Sequence, residues 1–362
     1  MFEKEIKAIE EEIRNTPYNK ATQKHIGMLK AKLARLKEAA EREKTKSSKG
    51  GKGFGLKKSG DATVLLIGLP SVGKSTLLNR ITNAESKVAD YEFTTLTVVP
   101  GIMEYKGAKI QIFDVPGIIT GASKGRGRGK EILSIARAAD LICLMLDVTK
   151  NYNTQLKIIK QELYDAGFRL GEKPPDVKIY KEMRGGLKVS STVKLKKINE
   201  ETIREILKEF RILNGEIIIR EDITPDQLID VLVGNRVYVP FLVIVNKIDL
   251  LENSSNLKDA EDMIFISAKD GKNIEKLKET IWKKLNLMRL YMKKIGKEPD
   301  MNEPLIIKKG STVKDVCIRL HKEFLENFDY ARIWGKSAKF PGQNVGLEHK
   351  LNDEDIVEIH LK

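Results

Sequence analysis

The chain has 362 residues, 41% of them hydrophobic, which is long enough for two or more domains and apolar enough for ordinary cores. No apolar run approaches the ~20 residues a membrane span needs, and the N-terminus MFEKEIKAIEEE lacks a signal-peptide profile, so a cytoplasmic protein without a membrane partner is expected. The net charge of +14 is concentrated: residues 20–58 hold thirteen Lys/Arg against three Glu, a net of +10, which suits a polyanion such as RNA and equally a solvated arm.

Phe2, Ile6, Ile9 and Ile13 fall on one helical face, and Ile26, Leu29, Leu33 and Leu36 on another. Residues 15–19 interrupt the pattern, with Thr16 as an expected N-cap and Pro17 at the first position of the second helix. Residues 1–43 therefore read as a basic antiparallel helical hairpin with one apolar seam and a Lys/Arg outer face. Residues 44–60 contain five glycines and no periodicity, the composition of a flexible linker.

The stretch VLLIGLPSVGKST organises the rest. A short apolar run from Val64 to Ile67 reads as a buried strand. Gly68, Leu69, Pro70, Ser71, Val72, Gly73, Lys74 and Ser75 then spell G-x-x-x-x-G-K-S, and Thr76, Leu77, Leu78 and Ile81 begin a helix. Strand, glycine loop and helix in that order predict a phosphate-binding loop, whose backbone amides and helix N-terminus wrap an anion. Lys74 would reach the β- and γ-phosphates and the Ser75 hydroxyl would bind Mg²⁺. A glycine turn between strand and helix is the bland alternative, which the downstream motifs make remote.

Ile110 to Phe113 reads as a strand ending in Asp114-Val115-Pro116-Gly117. In D-x-x-G, Asp114 would hold Mg²⁺ through water and the Gly117 amide would bond the γ-phosphate, because glycine lets the backbone approach closely. Leu141 to Val148 (LICLMLDV) is a near-continuous apolar strand of the kind a parallel sheet buries on both faces. Cys143 lies in it, and Cys317 lies on a helical apolar face; both read as buried free thiols.

The next such strand, Phe241 to Val245, ends in Asn246-Lys247-Ile248-Asp249. N-K-x-D there predicts a guanine reader. Asp249 can accept two bonds from the N1–H and exocyclic amine, whereas adenine has neither donor in that place. A site built on such bonds discriminates by a factor on the order of 10⁴ or more. Lys247 would lie along the base and Asn246 would tie this loop to the phosphate loop. Met263 to Ile266 gives a further strand, followed by Ser267-Ala268-Lys269, where the Ala268 amide would meet guanine O6.

Between Val148 and Phe241 lies more chain than one crossover helix needs. Thr154 to Ala166 supplies that helix, and residues 171–236 read as an inserted α+β module with a helix near Glu200 to Phe210 and a strand at Glu216 to Arg220. Trp282 to Met292 reads as a terminal helix. A linker at Pro299 to Pro304, a strand at Leu305 to Ile307, a helix from Thr312 and a last strand from Ile356 to Leu361 then suggest a β-grasp.

The combination GLPSVGKS, YEFTTL, DVPGIITGA, NKID and SAK resembles the Obg-type branch of the translation-factor-class GTPases. Within it, the basic N-terminal helices, the insertion before NKID and the C-terminal WGKSAKFPGQNVGLEHKLNDEDIVEI resemble the developmentally regulated GTP-binding proteins, over nearly the whole chain. The resemblance implies an α/β P-loop G domain at 61–170 and 237–292, interrupted by an S5D2-like module at 171–236, after the hairpin and linker, with a TGS-like β-grasp at 293–362. It implies GTP hydrolysed to GDP and phosphate, Mg²⁺ held by Ser75 and Thr95, and a first switch that includes Phe93, Thr94 and Thr95. Catalysis would fall to Lys74, Thr95 and Gly117.

Ribosome or RNA association in translation and a dedicated regulatory partner protein are likewise implied, with no DNA specificity. Related enzymes recruit K⁺ through an Asn in the phosphate loop. Ser71 stands in that place here, which leaves a K⁺ role open. Ile118 stands where Ras-like GTPases place the water-orienting Gln, so slow intrinsic turnover is expected, with Arg126 and Arg128 as candidate fingers. The alternative reading is an RNA- or ribosome-binding scaffold whose guanine nucleotide is mainly structural; NKID argues against an ATP-using enzyme.

Overall fold

A computed structural model describes residues 2–19, 21–46, 60–82, 99–114, 137–251 and 257–362. Along the chain run α1 (Phe2–Asn15), α2 (Gln23–Lys46), β1 (Ala62–Gly68), α3 (Lys74–Ile81), β2 (Val99–Tyr105), β3 (Ala108–Asp114), β4 (Leu141–Asp147) and α4 (Tyr152–Asp165). Next come β5 (Phe168–Leu170), β6 (Val177–Lys181), β7 (Leu187–Ser191), α5 (Glu200–Glu209), β8 (Gly215–Ile219), α6 (Pro225–Val233) and β9 (Val237–Val239). They lead to β10 (Phe241–Asn246), β11 (Met263–Phe265) and α7 (Ile274–Lys284). The chain closes with β12 (Leu287–Met292), β13 (Leu305–Lys308), α8 (Val313–Leu320), α9 (Lys322–Glu326), β14 (Phe328–Trp334), β15 (Gln343–Val345) and β16 (Asp355–Leu361). Two compact units result, residues 1–54 with 167–238 and residues 55–166 with 239–362.

In the second unit a six-stranded sheet has the order β11-β10-β4-β1-β3-β2, parallel throughout except that β2 runs antiparallel to β3. β1 and β4 are buried along their whole length, which is why both read as unbroken apolar runs. Leu77, Leu78 and Ile81 of α3 and Leu277, Ile281 and Trp282 of α7 join the same core as the sheet. The carboxyl ends of β1, β3, β4 and β10 share one edge, the place where open α/β sheets bind ligands. Both thiols are buried and free.

The same unit carries a five-stranded sheet ordered β13-β12-β16-β14-β15, in which β12 runs parallel to β16 and the other neighbours are antiparallel. Val313, Val316 and Cys317 of α8 pack on it. Asp315 caps that helix, its carboxylate accepting the Thr312 amide at 2.8 Å and the Thr312 hydroxyl at 3.0 Å. The terminal helix expected over Trp282 to Met292 is corrected here. α7 stops at Lys284, Asn286 takes a left-handed backbone (φ 54°), and residues 287–292 form β12. Pairing to β13 and β16 wins over helical propensity because each side supplies a ladder of partners.

In the first unit, β6 and β7 flank β8, antiparallel and parallel respectively. Ile203, Ile206 and Leu207 of α5 and Leu228 and Ile229 of α6 share a core with Ala31 of α2. Ile9 with Leu29 and Leu36 forms the seam between α1 and α2, as the spacing predicts. Part of the Lys/Arg face of α2 is paired with acids of neighbouring helices. Lys32 and Lys37 meet Glu5 and Glu10 of α1 at 3.0 and 2.7 Å, while Lys30 and Arg35 meet Asp226 and Glu209 at 2.7 and 3.1 Å.

The expected cap at Thr16 and Pro17 also fails. The Thr16 hydroxyl donates back to the Glu12 carbonyl at 2.7 Å, and Asn19 Oδ1 instead accepts the Ala21 and Thr22 amides at 2.9 and 3.0 Å just before α2. An Asn side chain reaches two consecutive amides in such a turn, which a back-bonded Thr cannot do. Among the described residues no helix is long and apolar enough to cross a membrane.

Candidate functional site

Seven residues of β1 deliver the chain to a tight loop, and α3 leaves it at Lys74. Ser71 and Gly73 both take left-handed backbone, with φ 64° and 96°. At Gly73 a Cβ would stand 2.5 Å from Asn246 Nδ2, and at Gly68 one would stand 2.5 Å from the Met145 carbonyl, so both positions demand glycine. The result is a loop of backbone amides at a helix N-terminus, which suits an anion.

Lys74 curls over this loop, its Nζ donating to the Gly68 and Leu69 carbonyls at 3.1 Å each. Burial lowers its pKa, and the neighbouring Asp114 carboxylate opposes that shift. Asp114 ends β3 and accepts the Ser75 hydroxyl on Oδ2 at 3.2 Å. Its other oxygen, Oδ1, is buried with no hydrogen-bond partner among the described residues. Burial raises the Asp114 pKa, against the pull of Lys74 and Ser75. A hydroxyl beside a desolvated carboxylate with an orphaned oxygen is the hard-oxygen donor set that a Mg²⁺ ion fits.

On the other side of the edge, Asn246 closes β10. Its Nδ2 donates to the Val72 carbonyl and its Oδ1 accepts the Ala268 amide, both at 2.9 Å, so one buried side chain joins three loops. Ser267 donates to Asp249 Oδ1 at 2.6 Å and fixes that carboxylate's orientation. Carboxylate oxygens carry more than one lone pair each, so a bidentate ligand remains acceptable. Lys247 has left-handed backbone, and its Nζ lies 2.6 Å from Asp147 at the end of β4.

Gly68, Pro70, Ser71, Val72, Gly73, Asp114, Asn246, Lys247, Asp249, Ser267, Ala268 and Lys269 belong to the ends of β1, β3 and β10 or to the segments that follow the sheet's carboxyl edge, and Lys74, Ser75 and Thr76 form the first turn of α3. Phe93, Thr94, Thr95, Gly117, Ile118, Arg126 and Arg128 lie outside the described residues. Two residues escaped sequence reasoning. Asp147 closes LICLMLD, and Arg80 at the end of α3 donates to the Ala268 carbonyl at 3.2 Å and to the Lys269 carbonyl. An acid that ends an apolar strand opposite NKID is the one signal that pointed to the first.

Comparison with known proteins agrees with this geometry. Residues 63–179 match the family described as 50S ribosome-binding GTPase, residues 184–287 its C-terminal region, and residues 288–361 the TGS domain. An uncharacterized GTP-binding protein, MJ1326 of Methanocaldococcus jannaschii, is 57% identical over 100% of this chain and 93% of its own. Developmentally-regulated GTP-binding protein 2 of Homo sapiens is 45% identical over 99% of this chain and 98% of its own. Uncharacterized GTP-binding protein C9.07c of Schizosaccharomyces pombe is 47% identical, with the same coverage. A P-loop G domain at this site, a C-terminal TGS domain and full-length identity of this order make the chain a member of the developmentally regulated GTP-binding protein family.

Proposed function

We propose that this protein binds guanine nucleotide with Mg²⁺, hydrolyses GTP to GDP and phosphate, and works in the cytoplasm as a conformational switch on ribosomes. The observation that carries the reading is the Asn246 bridge, which holds the phosphate loop and the Ala268 loop at hydrogen-bond distance around a carboxylate, Asp249, already oriented by Ser267. Adenine offers that carboxylate no matching pair of donors.

Lys74 would exchange the Gly68 and Leu69 carbonyls for β- and γ-phosphate oxygens, joining the loop amides from Gly68 to Thr76. Ser75, with Asp114 through water and Thr95 as the resemblance implies, would hold Mg²⁺, which neutralises charge on the phosphates when bound. The Gly117 amide would sense the γ-phosphate, and loss of that phosphate would release the Thr95 and Gly117 contacts. Ile118 cannot polarise water, so unassisted turnover should be slow, about 10⁻⁴ to 10⁻² s⁻¹. The matched family's description, the TGS domain and the basic N-terminal stretch support ribosomal RNA as partner, and family likeness supports a dedicated regulatory protein. Ser71 leaves a K⁺ role open.

The test is competition for fluorescent GDP by GTP, xanthosine diphosphate and ATP, on the parent and on Asp249→Asn. The parent should reject ATP and the variant should move toward xanthine. ATP displacing the probe as well as GTP does, or a variant with the parent's base preference, would overturn the reading. Phosphate release with and without ribosomes then separates a switch from a scaffold.

A further inference from the structure

Lys247 is held from a direction that no nucleotide motif names. Its backbone is fixed in the left-handed region (φ 72°) at the end of β10, and its Nζ is fixed 2.6 Å from Asp147 Oδ2 at the end of β4. Asp147 is held in turn. Its Oδ1 accepts the Thr149 amide at 2.9 Å and the Thr149 hydroxyl at 2.6 Å. Buried Gln155 of α4 clamps its main chain, donating to the Asp147 carbonyl at 2.9 Å and accepting the Asp147 amide at 3.2 Å. Burial pushes the Asp147 pKa up, but the bonds from Lys247 and Thr149 outweigh it and keep the group below its ordinary range, hence charged at neutral pH.

A free lysine stem samples many rotamers, and a base that lies on it must first order them. Held at both ends, the stem is instead an apolar shelf set before a ligand arrives, which is preorganisation in the ordinary sense. We propose that Asp147 is a positioning residue. By anchoring the Lys247 ammonium it presets the shelf under the purine and so lengthens the residence of bound guanine nucleotide, without reading the base. This rests on the guanine-nucleotide reading above. The effect belongs mainly to dissociation, because loss of preset order shortens residence more than it slows encounter. It should also be equal for GDP and GTP, since the shelf does not touch the phosphates.

The experiment is stopped-flow release of fluorescent GDP and GTP analogues from the full-length parent, Asp147→Asn, Lys247→Met and the double variant. Asn keeps an acceptor for Thr149 but puts an NH2 donor where Oδ2 took the Lys247 ammonium, so it removes the charge and the anchor together. Asp147→Asn should release both nucleotides about tenfold faster, ~1.4 kcal/mol, with guanine preference intact. Lys247→Met and the double variant should release at one common rate. Parent-like release from Asp147→Asn overturns the proposal. So does faster release from the double variant than from Lys247→Met, because Asp147 would then act by another route. Should Asp147→Asn and the double variant unfold, Lys247→Met decides alone: parent-like release from it overturns the proposal, because the anchored ammonium would then not matter. A parent that binds no guanine nucleotide is a separate outcome: it removes the underlying reading and the proposal with it.

Discussion

Asp114 shows what a nucleotide site costs its own fold. The carboxylate is desolvated, and one oxygen has no partner among the described residues, so its folded pKa stands above the ordinary 3.8. The charged form therefore destabilises the ligand-free protein fully above the folded pKa, and the penalty fades as pH falls through that value toward the unfolded one. Asp114→Asn should raise the ligand-free Tm at pH 7 by about 1–3 °C, with no gain near pH 3, as read by scanning calorimetry. The same variant should lose any stabilisation by Mg²⁺-nucleotide. Cys143 offers a second test at this scale: burial pushes its thiol up to about 12 and also raises Cys317. Neither should react with a thiol reagent at pH 8 until urea unfolds the chain. Lys74, Ser75, Asp114, Asn246 and Asp249 were legible because residue type and spacing are both set by one ligand. Arg80 and Asp147 were not, since their partners lie 188 and 100 residues away and an Arg ending a helix or an acid ending a strand serves many turns.

At the scale of elements, most strands and helices announced themselves by period, and the failures have separate causes. Residues 287–292 followed a helix without a glycine or proline stop, and only the left-handed Asn286 and partners on two sides make them a strand. The pair β6 and β7 was missed because each is five residues long with no fully buried position, and helix α6 was missed as a short apolar stretch of nine residues. Elements are also pinned by buried charge. Asp230 of α6 accepts Arg169 of β5 at 2.5 and 2.7 Å and Arg236, just before β9, at 2.7 Å, with Arg169 and Asp230 both about 4% exposed. Removing the acid strands a buried guanidinium, so Asp230→Ala should cost about 3–5 kcal/mol in denaturant unfolding. Replacing Arg169 and Asp230 together with apolar residues should recover most of that loss.

Across the whole molecule, charge and domain edges behave differently from their sequence outline. Lys30, Lys32, Arg35 and Lys37 of α2 meet acids of α1, α5 and α6, so Lys32→Gln with Lys37→Gln should leave the proposed ribosome binding and its salt dependence nearly unchanged. Lys49, Lys52, Lys57 and Lys58, outside the described residues, are the part of the basic stretch that follows α2. Changing those four to Gln should flatten the log–log salt slope by up to about 3 if that stretch meets RNA. Truncation tests the boundary. Leu287 and Ile306 share the core of the parallel sheet, and β12 needs β13 and β16 as partners. A chain ending at 292 therefore keeps an unpaired edge and should aggregate on size exclusion, whereas one ending at 286 should stay soluble with a lower Tm.

The inserted residues enter and leave side by side, the Val237 amide donating to the Gly167 carbonyl at 3.0 Å. Yet Ala31 of α2, more than a hundred positions upstream, fills the same core as α5 and α6. A chimera that borrows 171–236 from a relative and keeps its own first fifty residues inherits a mismatched seam. Exchanging both segments together should restore the fit that exchanging one alone disturbs.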